Sequence, residues 1–109
     1  MAADREGADA RGWYSPELLR IKGELLLQQA ADQSTLAEEC FNQAAQLARE
    51  QGALFWELRI ALSVARLRVS QDRRHAARAP LASVYDRFTE GFATADLRAA
   101  RALLEGSPP

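Results

Sequence analysis

The 109-residue sequence has little of the residue types that build disulfide frameworks, metal centres and nucleotide sites: one cysteine, one histidine and one lysine. A single cysteine, Cys40, excludes an intramolecular disulfide and a thiolate zinc cluster. The single lysine, Lys22, precedes its neighbouring glycine, so the chain lacks the Gly-x4-Gly-Lys-Ser/Thr loop of ATP hydrolysis. Its apolar runs, such as Leu25–Leu27, are far shorter than the roughly 20 residues that span a bilayer. The polar first dozen residues do not resemble a signal peptide. We expect a cytoplasmic chain with no cofactor and no membrane contact.

Neither sign of charge predominates overall, because 14 basic and 15 acidic residues give a formal net charge of −1. The halves differ, however: residues 1–57 hold ten acids and five bases, whereas residues 58–109 hold five acids and nine bases. A near-neutral total argues against a general polyanion binder, so nucleic acid is not the expected partner. The 48% hydrophobic and 27% charged content is typical of a globular domain. Arginine supplies 13 of the 14 cations, which indicates a GC-rich, bacterial genome.

Apolar residues recur at helical spacing and no segment shows a period of two, which predicts an all-α fold. Ser15-Pro16-Glu17 favours a helix start, because serine caps first-turn amides, proline suits the first position and glutamate meets the positive end of the helix dipole. We predict a five-helix antiparallel array over about residues 15–30, 35–51, 53–70, 73–90 and 94–106. These helices form one domain over 13–106, after a flexible tail over 1–12.

The predicted helix ends and faces follow from single residues. We expect Ser34, Asp72 and Thr94 to act as N-caps and Gly52 to end the second helix. Pro80 is expected to kink the fourth helix or to delay its start, because proline lacks the backbone N–H. The predicted buried rows are Leu18, Ile21 and Leu25 beside Leu19 and Leu26 on helix one; Ala37, Phe41, Ala44 and Ala48 on helix two; and Ala77, Leu81, Val84 and Phe88 on helix four.

The third predicted helix is apolar on two sides, which is typical of a central helix packed between neighbours. One stripe contains Leu54, Leu58, Ala61, Leu62, Ala65 and Val69, and the other contains Trp56, Ile60, Val64 and Leu67.

An internal repeat links the second and fourth helices. Ala37-x3-Phe41-x2-Ala44 corresponds to Ala77-x3-Leu81-x2-Val84, and each copy follows a helix with a small residue mid-way, Gly23 or Ala65. The pattern resembles the tetratricopeptide repeat, whose Ala-x3-Phe signature recurs every 34 residues. Here the spacing is 40 residues, so the resemblance implies two degenerate tetratricopeptide-like hairpins plus a C-terminal capping helix.

Longer strings resemble the C-terminal helical-repeat region of large bacterial P-loop ATPase regulators and adenylate cyclases. They include Trp13-Tyr14-x-Pro16-Glu17-Leu18-Leu19, Trp56-Glu57-Leu58-Arg59 and Val84-Tyr85-x-Arg87-Phe88. In that family a cyclase or DNA-binding domain and an ATPase domain precede the repeats. The resemblance covers residues 13 to about 105 and implies a regulatory interaction module.

Four polar residues on helix three, Arg59, Ser63, Arg66 and Ser70, fall at i, i+4, i+7 and i+11. In a tetratricopeptide-like solenoid this ridge faces the concave groove, where two guanidiniums suit the carboxylates of a bound peptide. The alternatives are a solvated ridge and internal ion pairs with first-helix acids such as Glu24.

Two further features suggest partners. The basic residues between Arg66 and Arg78 favour either ordinary surface charge or contact with nucleic acid. Trp13 and Tyr14 either clamp helix one locally or mark an open solenoid end that self-associates. His75 can be imagined as a general base, but no catalytic constellation surrounds it. We therefore predict a non-enzymatic protein–protein interaction module that binds a protein or peptide and forms a homo-oligomer, with a dimer favoured. The alternative is a nucleic-acid-contacting accessory domain of a transcriptional regulator.

Overall fold

Helices alone make up the regular structure of residues 15–106, the part of the chain that the computed structural model describes, apart from the side chain of Ala31. The predicted tail and the aromatic pair Trp13 and Tyr14 lie outside these residues. Within them there are five α-helices, one 3-10 turn and no strand: α1 (Pro16–Gln29), the turn Ala31–Gln33, α2 (Ser34–Gln51), α3 (Leu54–Ser70), α4 (Arg74–Tyr85) and α5 (Ala95–Leu104). The predicted all-α, five-helix fold is confirmed.

The helices pack in chain order, since each contacts the next, and α1, α3 and α5 also form a row of neighbours. The central helix is α3, which contacts the other four. Its two apolar stripes enter different cores, as the sequence predicts. Ile60 and Leu67 join Phe41 of α2 in the first core, whereas Leu58 and Leu62 join residues of α4 and α5 in the second.

A glycine allows α1 and α2 to approach closely. Phe41 is fully buried, and a Cβ atom built on Gly23 would lie 2.5 Å from its Cε1 atom. Such a distance is well inside van der Waals contact, so the phenyl ring occupies the space that any larger residue at position 23 needs. The predicted buried face of α2 is confirmed, because Ala37, Ala44 and Ala48 are also completely buried.

The predicted burial of one row on α1 is wrong. Leu18, Ile21 and Leu25 are 50%, 39% and 52% exposed, whereas Leu19 is buried. The reason is the position of α1 among the described residues 15–106, where it packs only on the 3-10 turn, α2 and α3. Leu19 and Gly23 face these neighbours, so Leu18, Ile21 and Leu25 point away from the core. We call Leu18, Ile21 and Leu25 the α1 row.

Two helices end in the same left-handed turn. Gly52 has φ 65°, and the Ala53 amide donates to the Ala48 carbonyl at 2.9 Å, so Gly52 ends α2 as predicted. After α3, Asp72 has φ 63° and the Arg73 amide donates to the Arg68 carbonyl at 2.7 Å. This hydrogen-bond pattern is the Schellman C-cap. Asp72 therefore ends α3 and does not cap α4, which contradicts the prediction.

The other predicted helix caps agree only in part with the structure. The Ser15 hydroxyl accepts from the Leu18 amide at 3.3 Å, as predicted. Ser34 already has helical backbone angles and is the first residue of α2, because the preceding 3-10 turn leads directly into the helix. Thr94 is the N-cap of α5, but its side chain forms no capping hydrogen bond.

The fourth helix is shorter than predicted. It ends at Tyr85 rather than near residue 90, and it passes through Pro80 without a delayed start. Beyond its end, Arg87 donates to the two carboxylate oxygens of Glu57 at 2.8 and 3.3 Å. Glu57 is only 5% exposed, so this ion pair fixes the α4–α5 connection against the first turn of α3. Phe88 packs on the second core from this connection.

Candidate interaction surfaces

The four polar residues predicted to form a ridge lie along one face of α3, from Arg59 to Ser70, but their surroundings differ. Arg59 is half-buried, Ser63 is buried, and Arg66 and Ser70 are exposed. We call these four residues the α3 ridge. Its first half is engaged within the chain and its second half faces solvent, so the two halves differ in what they can bind.

Arg59 joins the three helices of the α1–α3–α5 row. Its Nε donates to Asp96 Oδ2 of α5 at 3.1 Å, and its Nη1 lies 3.5 Å from Glu17 Oε2 of α1. The guanidinium also lies 5.2 Å from the centre of the Trp56 ring, in a cation–π arrangement. Arg59 therefore stabilises the helix row.

Ser63 belongs to the same polar network. Its hydroxyl donates to Glu24 Oε2 at 2.7 Å and accepts from Arg20 Nη1 at 3.3 Å. Arg20 in turn donates to both Glu17 carboxylate oxygens, at 2.8 and 3.0 Å. These hydrogen bonds from Arg20 are the main cause that lowers the pKa of Glu17, and they likewise raise the pKa of Arg20. This arrangement matches the alternative of internal pairing with first-helix acids.

Arg66 and Ser70 border an open cavity of about 420 Å³ between α1 and α3. Arg66 forms no hydrogen bond or ion pair with any residue in the range 15–106, and the Ser70 hydroxyl donates to the Leu67 carbonyl at 2.6 Å. Glu24 of α1 and Ser63 of α3 also line this cavity. The guanidinium of Arg66, which pairs with none of the described residues, is thus the part of the α3 ridge that is available to a ligand.

The basic residues that follow the α3 ridge do not share one face. Arg68 turns inward, where its Nη2 donates to Glu38 Oε2 at 3.0 Å, and Arg73 donates to the Gln71 side chain at 2.9 Å. By contrast, Arg74, His75 and Arg78 are exposed on α4, and their side chains bond to no other described residue. Only this last group forms a continuous basic surface.

A groove runs between α4 and α5. It consists of two cavities, of about 240 and 360 Å³, which share Arg78 and Leu104 as lining residues. The residues that line this α4–α5 groove are Ala65, Val69, Arg74, His75, Ala77, Arg78, Leu81, Ala82, Tyr85, Asp86, Arg101, Leu103, Leu104, Glu105 and Gly106. Its floor is aliphatic and its α4 rim is basic.

Sequence reasoning missed three members of these polar contacts: Arg20, Asp96 and Arg87. Arg20 follows Glu17 by three residues, a spacing that signals a helical ion pair. Asp96 and Arg87 depend on contacts between α3 and segments 30 or more residues away, and spacing carries no signal for those.

No protein-family model, no curated protein and no solved structure matches this chain. Among the residues that the structure describes, no helix is both long and apolar enough to cross a membrane. The same residues bring together no group of three or more histidine, cysteine, aspartate or glutamate side chains that could hold a metal ion.

Proposed function

We propose that this chain is a non-enzymatic protein–protein interaction module of the tetratricopeptide-like kind, and that it self-associates through the α1 row. The packing order supports the first part. Helices α1, α3 and α5 contact one another in series, and each also packs on the helix that follows or precedes it in the chain. A two-helix repeat unit stacked on its neighbours produces this order.

The small residues of the two hairpins support the repeat. Gly23 lies against the Phe41 ring in the first core, and Ala65 is buried in the second core together with Leu81. In each hairpin a small residue of the first helix is combined with a large residue of the second. The close contact at Gly23 and the burial of Ala65 with Leu81 in one core support the repeat.

Self-association is supported by the observation that carries this proposal, the exposure of the α1 row. Leu18, Ile21 and Leu25 follow the i, i+3, i+7 spacing of a helix-packing seam, yet they are 39–52% exposed. Trp13 and Tyr14 directly precede Ser15, the N-cap of this helix, in the sequence. A contiguous apolar helix face of this kind marks an interaction site. A second copy presents the same row, so a twofold pairing of α1 with α1 covers both rows.

Light scattering over a wide concentration range tests the proposal. The wild-type chain should show a concentration-dependent dimer, and the double variant Leu18→Glu/Leu25→Glu should remain a monomer with unchanged helical circular dichroism. The matched control is Leu36→Glu, because Leu36 is 50% exposed but lies on α2. If wild type is a strict monomer throughout, or if the control dissociates as readily as the double variant, the α1 row is not the interface.

In this module the α3 ridge contributes to partner binding through its exposed half, Arg66 and Ser70, while Arg59 and Ser63 keep the helix row in place. Charge reversal at Arg66 should therefore weaken capture of an acidic peptide without unfolding the chain. Reversal at Arg59 should lower stability, because it places a third carboxylate between Glu17 and Asp96.

A further inference from the structure

The α4–α5 groove is an open trough along one face of α4 and the adjacent residues of α5. On α4 its lining residues include Arg74, Arg78, Leu81 and Tyr85, at i, i+4, i+7 and i+11, which places them on one helix face. On α5, Leu103 and Leu104 are only partly buried. Two helices with facing apolar rows leave a trough between them into which the side-chain ridge of a third helix fits.

The charges along the groove are uneven. At the end near the start of α4, Arg74, His75 and Arg78 surround the aliphatic floor and bond to no other described residue. At the other end, Arg101 is already paired with Glu105 at 2.8 Å, and Asp86 adds a negative charge. The first end is therefore basic, whereas the second has one positive and two negative groups and is weakly acidic.

We propose that the α4–α5 groove binds an acidic amphipathic helix of about three turns from a partner protein. The groove face of α4 runs from Arg74 to Tyr85, which at 1.5 Å per residue is about 16 Å, the length of three helical turns. Leucine-like side chains at i, i+3 and i+7 of the partner cover the exposed parts of Val69, Leu103 and Leu104, which are partly buried lining residues. Its carboxylates lie beside Arg74 and Arg78, so the acidic end of the partner helix faces the start of α4.

A second copy of this chain fits the groove poorly. In the described range, the α1 row is the one helix face with three exposed large apolar side chains. Lys22 is exposed beside that row and would meet Arg74 or Arg78, while Glu17 and Glu24 already contact Arg20. Like charges across an interface oppose association, so a different protein with free carboxylates is the better occupant.

This proposal rests on the proposed interaction role but uses a different surface from the α1 row. The test is fluorescence anisotropy with a labelled synthetic three-turn peptide that carries leucines at i, i+3 and i+7 and glutamates in its first turn. A second peptide, with lysines in place of the glutamates, is the probe for charge. The wild-type chain should bind the glutamate peptide at least about tenfold more tightly than the lysine peptide.

Two protein variants locate the binding. Arg74→Glu/Arg78→Glu should weaken binding of the glutamate peptide by about tenfold or more, whereas Arg98→Glu, at an exposed position of α5 that does not line the groove, should change it less than about twofold. Absence of binding, equal binding of the two peptides, or equal loss in both variants would overturn the proposal. Light scattering on the same samples distinguishes the two proposals. If the peptide does not bind while the dimer persists, pairing through the α1 row stands and the groove proposal is wrong. If the chain is a monomer that binds the peptide, the groove proposal stands and pairing through the α1 row is wrong.

Discussion

Arg68 of α3 donates a hydrogen bond from Nη1 to the carbonyl oxygen of Ala76 in α4, at 2.9 Å. Ala76 precedes Pro80 by four residues, so its carbonyl is the one that loses its helical donor to the proline. Arg68 supplies that donor from the neighbouring helix, while its Nη2 binds Glu38 of α2. One guanidinium thus connects α2, α3 and α4 and explains how α4 continues through Pro80.

Replacing Arg68 should cost more stability with Pro80 present than without it. Arg68→Met keeps the aliphatic packing but leaves the Ala76 carbonyl without this donor, which should lower the free energy of unfolding by about 2 kcal/mol. In a Pro80→Ala background the new backbone amide at position 80 serves that carbonyl, and the loss should be about 1 kcal/mol smaller. Urea denaturation of the four proteins measures this coupling. A coupling energy of zero would show that Arg68 and Pro80 act independently.

The contact between Gly23 and Phe41 gives a second prediction. Gly23→Ala should destabilise the fold by about 1–3 kcal/mol through overpacking against the phenyl ring, although alanine favours helix by about 1 kcal/mol in an open position. Phe41→Leu in the same chain should recover part of the loss, because the smaller side chain makes room. Lys22→Ala is the control at the exposed neighbouring position. Thermal unfolding of these variants tests the prediction. A Gly23→Ala protein as stable as wild type would mean that α1 and α2 can separate at no cost in free energy.

The two left-handed helix ends should respond oppositely to substitution. Gly52 and Asp72 have nearly the same φ, 65° and 63°, and a Cβ atom at Gly52 would meet no other atom within 4 Å. Gly52→Ala should therefore lower the free energy of unfolding by about 1 kcal/mol through backbone strain alone, and Asp72→Gly should raise it by about 0.5–1 kcal/mol. Denaturation midpoints measure both. A destabilised Asp72→Gly protein would mean that the aspartate side chain contributes more than its backbone strain removes.

Acid sensitivity should depend on Glu17. Its pKa is lowered below the ordinary value of 4.5 by hydrogen bonds from Arg20, so the folded state favours the ionised carboxylate. This contribution is fully present above pH 4.5 and is lost as the pH falls through the lower pKa of the folded chain. Glu17→Gln should therefore lower the melting temperature at pH 7 and flatten its decline below pH 4.5. Glu39→Gln, at an exposed position of α2, should keep the wild-type decline; a Glu17→Gln protein with that same decline would remove Glu17 from the acid response.

Apolar periodicity and helix-ending residues predicted the helices well, because both signals depend on residues only a few positions apart. The two stripes of α3 and the left-handed Gly52 are examples. The burial of the α1 row was predicted wrongly because spacing shows that Leu18 and Ile21 share a face, but it does not show on which side of α1 the other described helices pack. Just beyond the early end of α4, Arg87 pairs with Glu57, and this contact joins residues 30 positions apart, which spacing along the chain does not predict.

The surfaces were less accessible to sequence reasoning than the helices. Four polar residues at helical spacing identified the α3 ridge, but the acids that engage Arg59 come from α1 and α5, and their placement requires the tertiary packing. The α4–α5 groove is a gap between two helices, and no residue type or spacing marks it. Its basic rim was visible in the sequence only as part of a longer arginine run.

Disulfide trapping across the proposed twofold axis tests the central claim, pairing through the α1 row, most directly. Ile21 lies between Leu18 and Leu25, so it should be close to its symmetry mate in the dimer. In a Cys40→Ala background, Ile21→Cys should form a cross-linked dimer rapidly under mild oxidation, because a disulfide requires Cα atoms within about 7 Å. Leu36→Cys in the same background should remain monomeric. Efficient cross-linking at position 36, or none at position 21, would contradict pairing through this face.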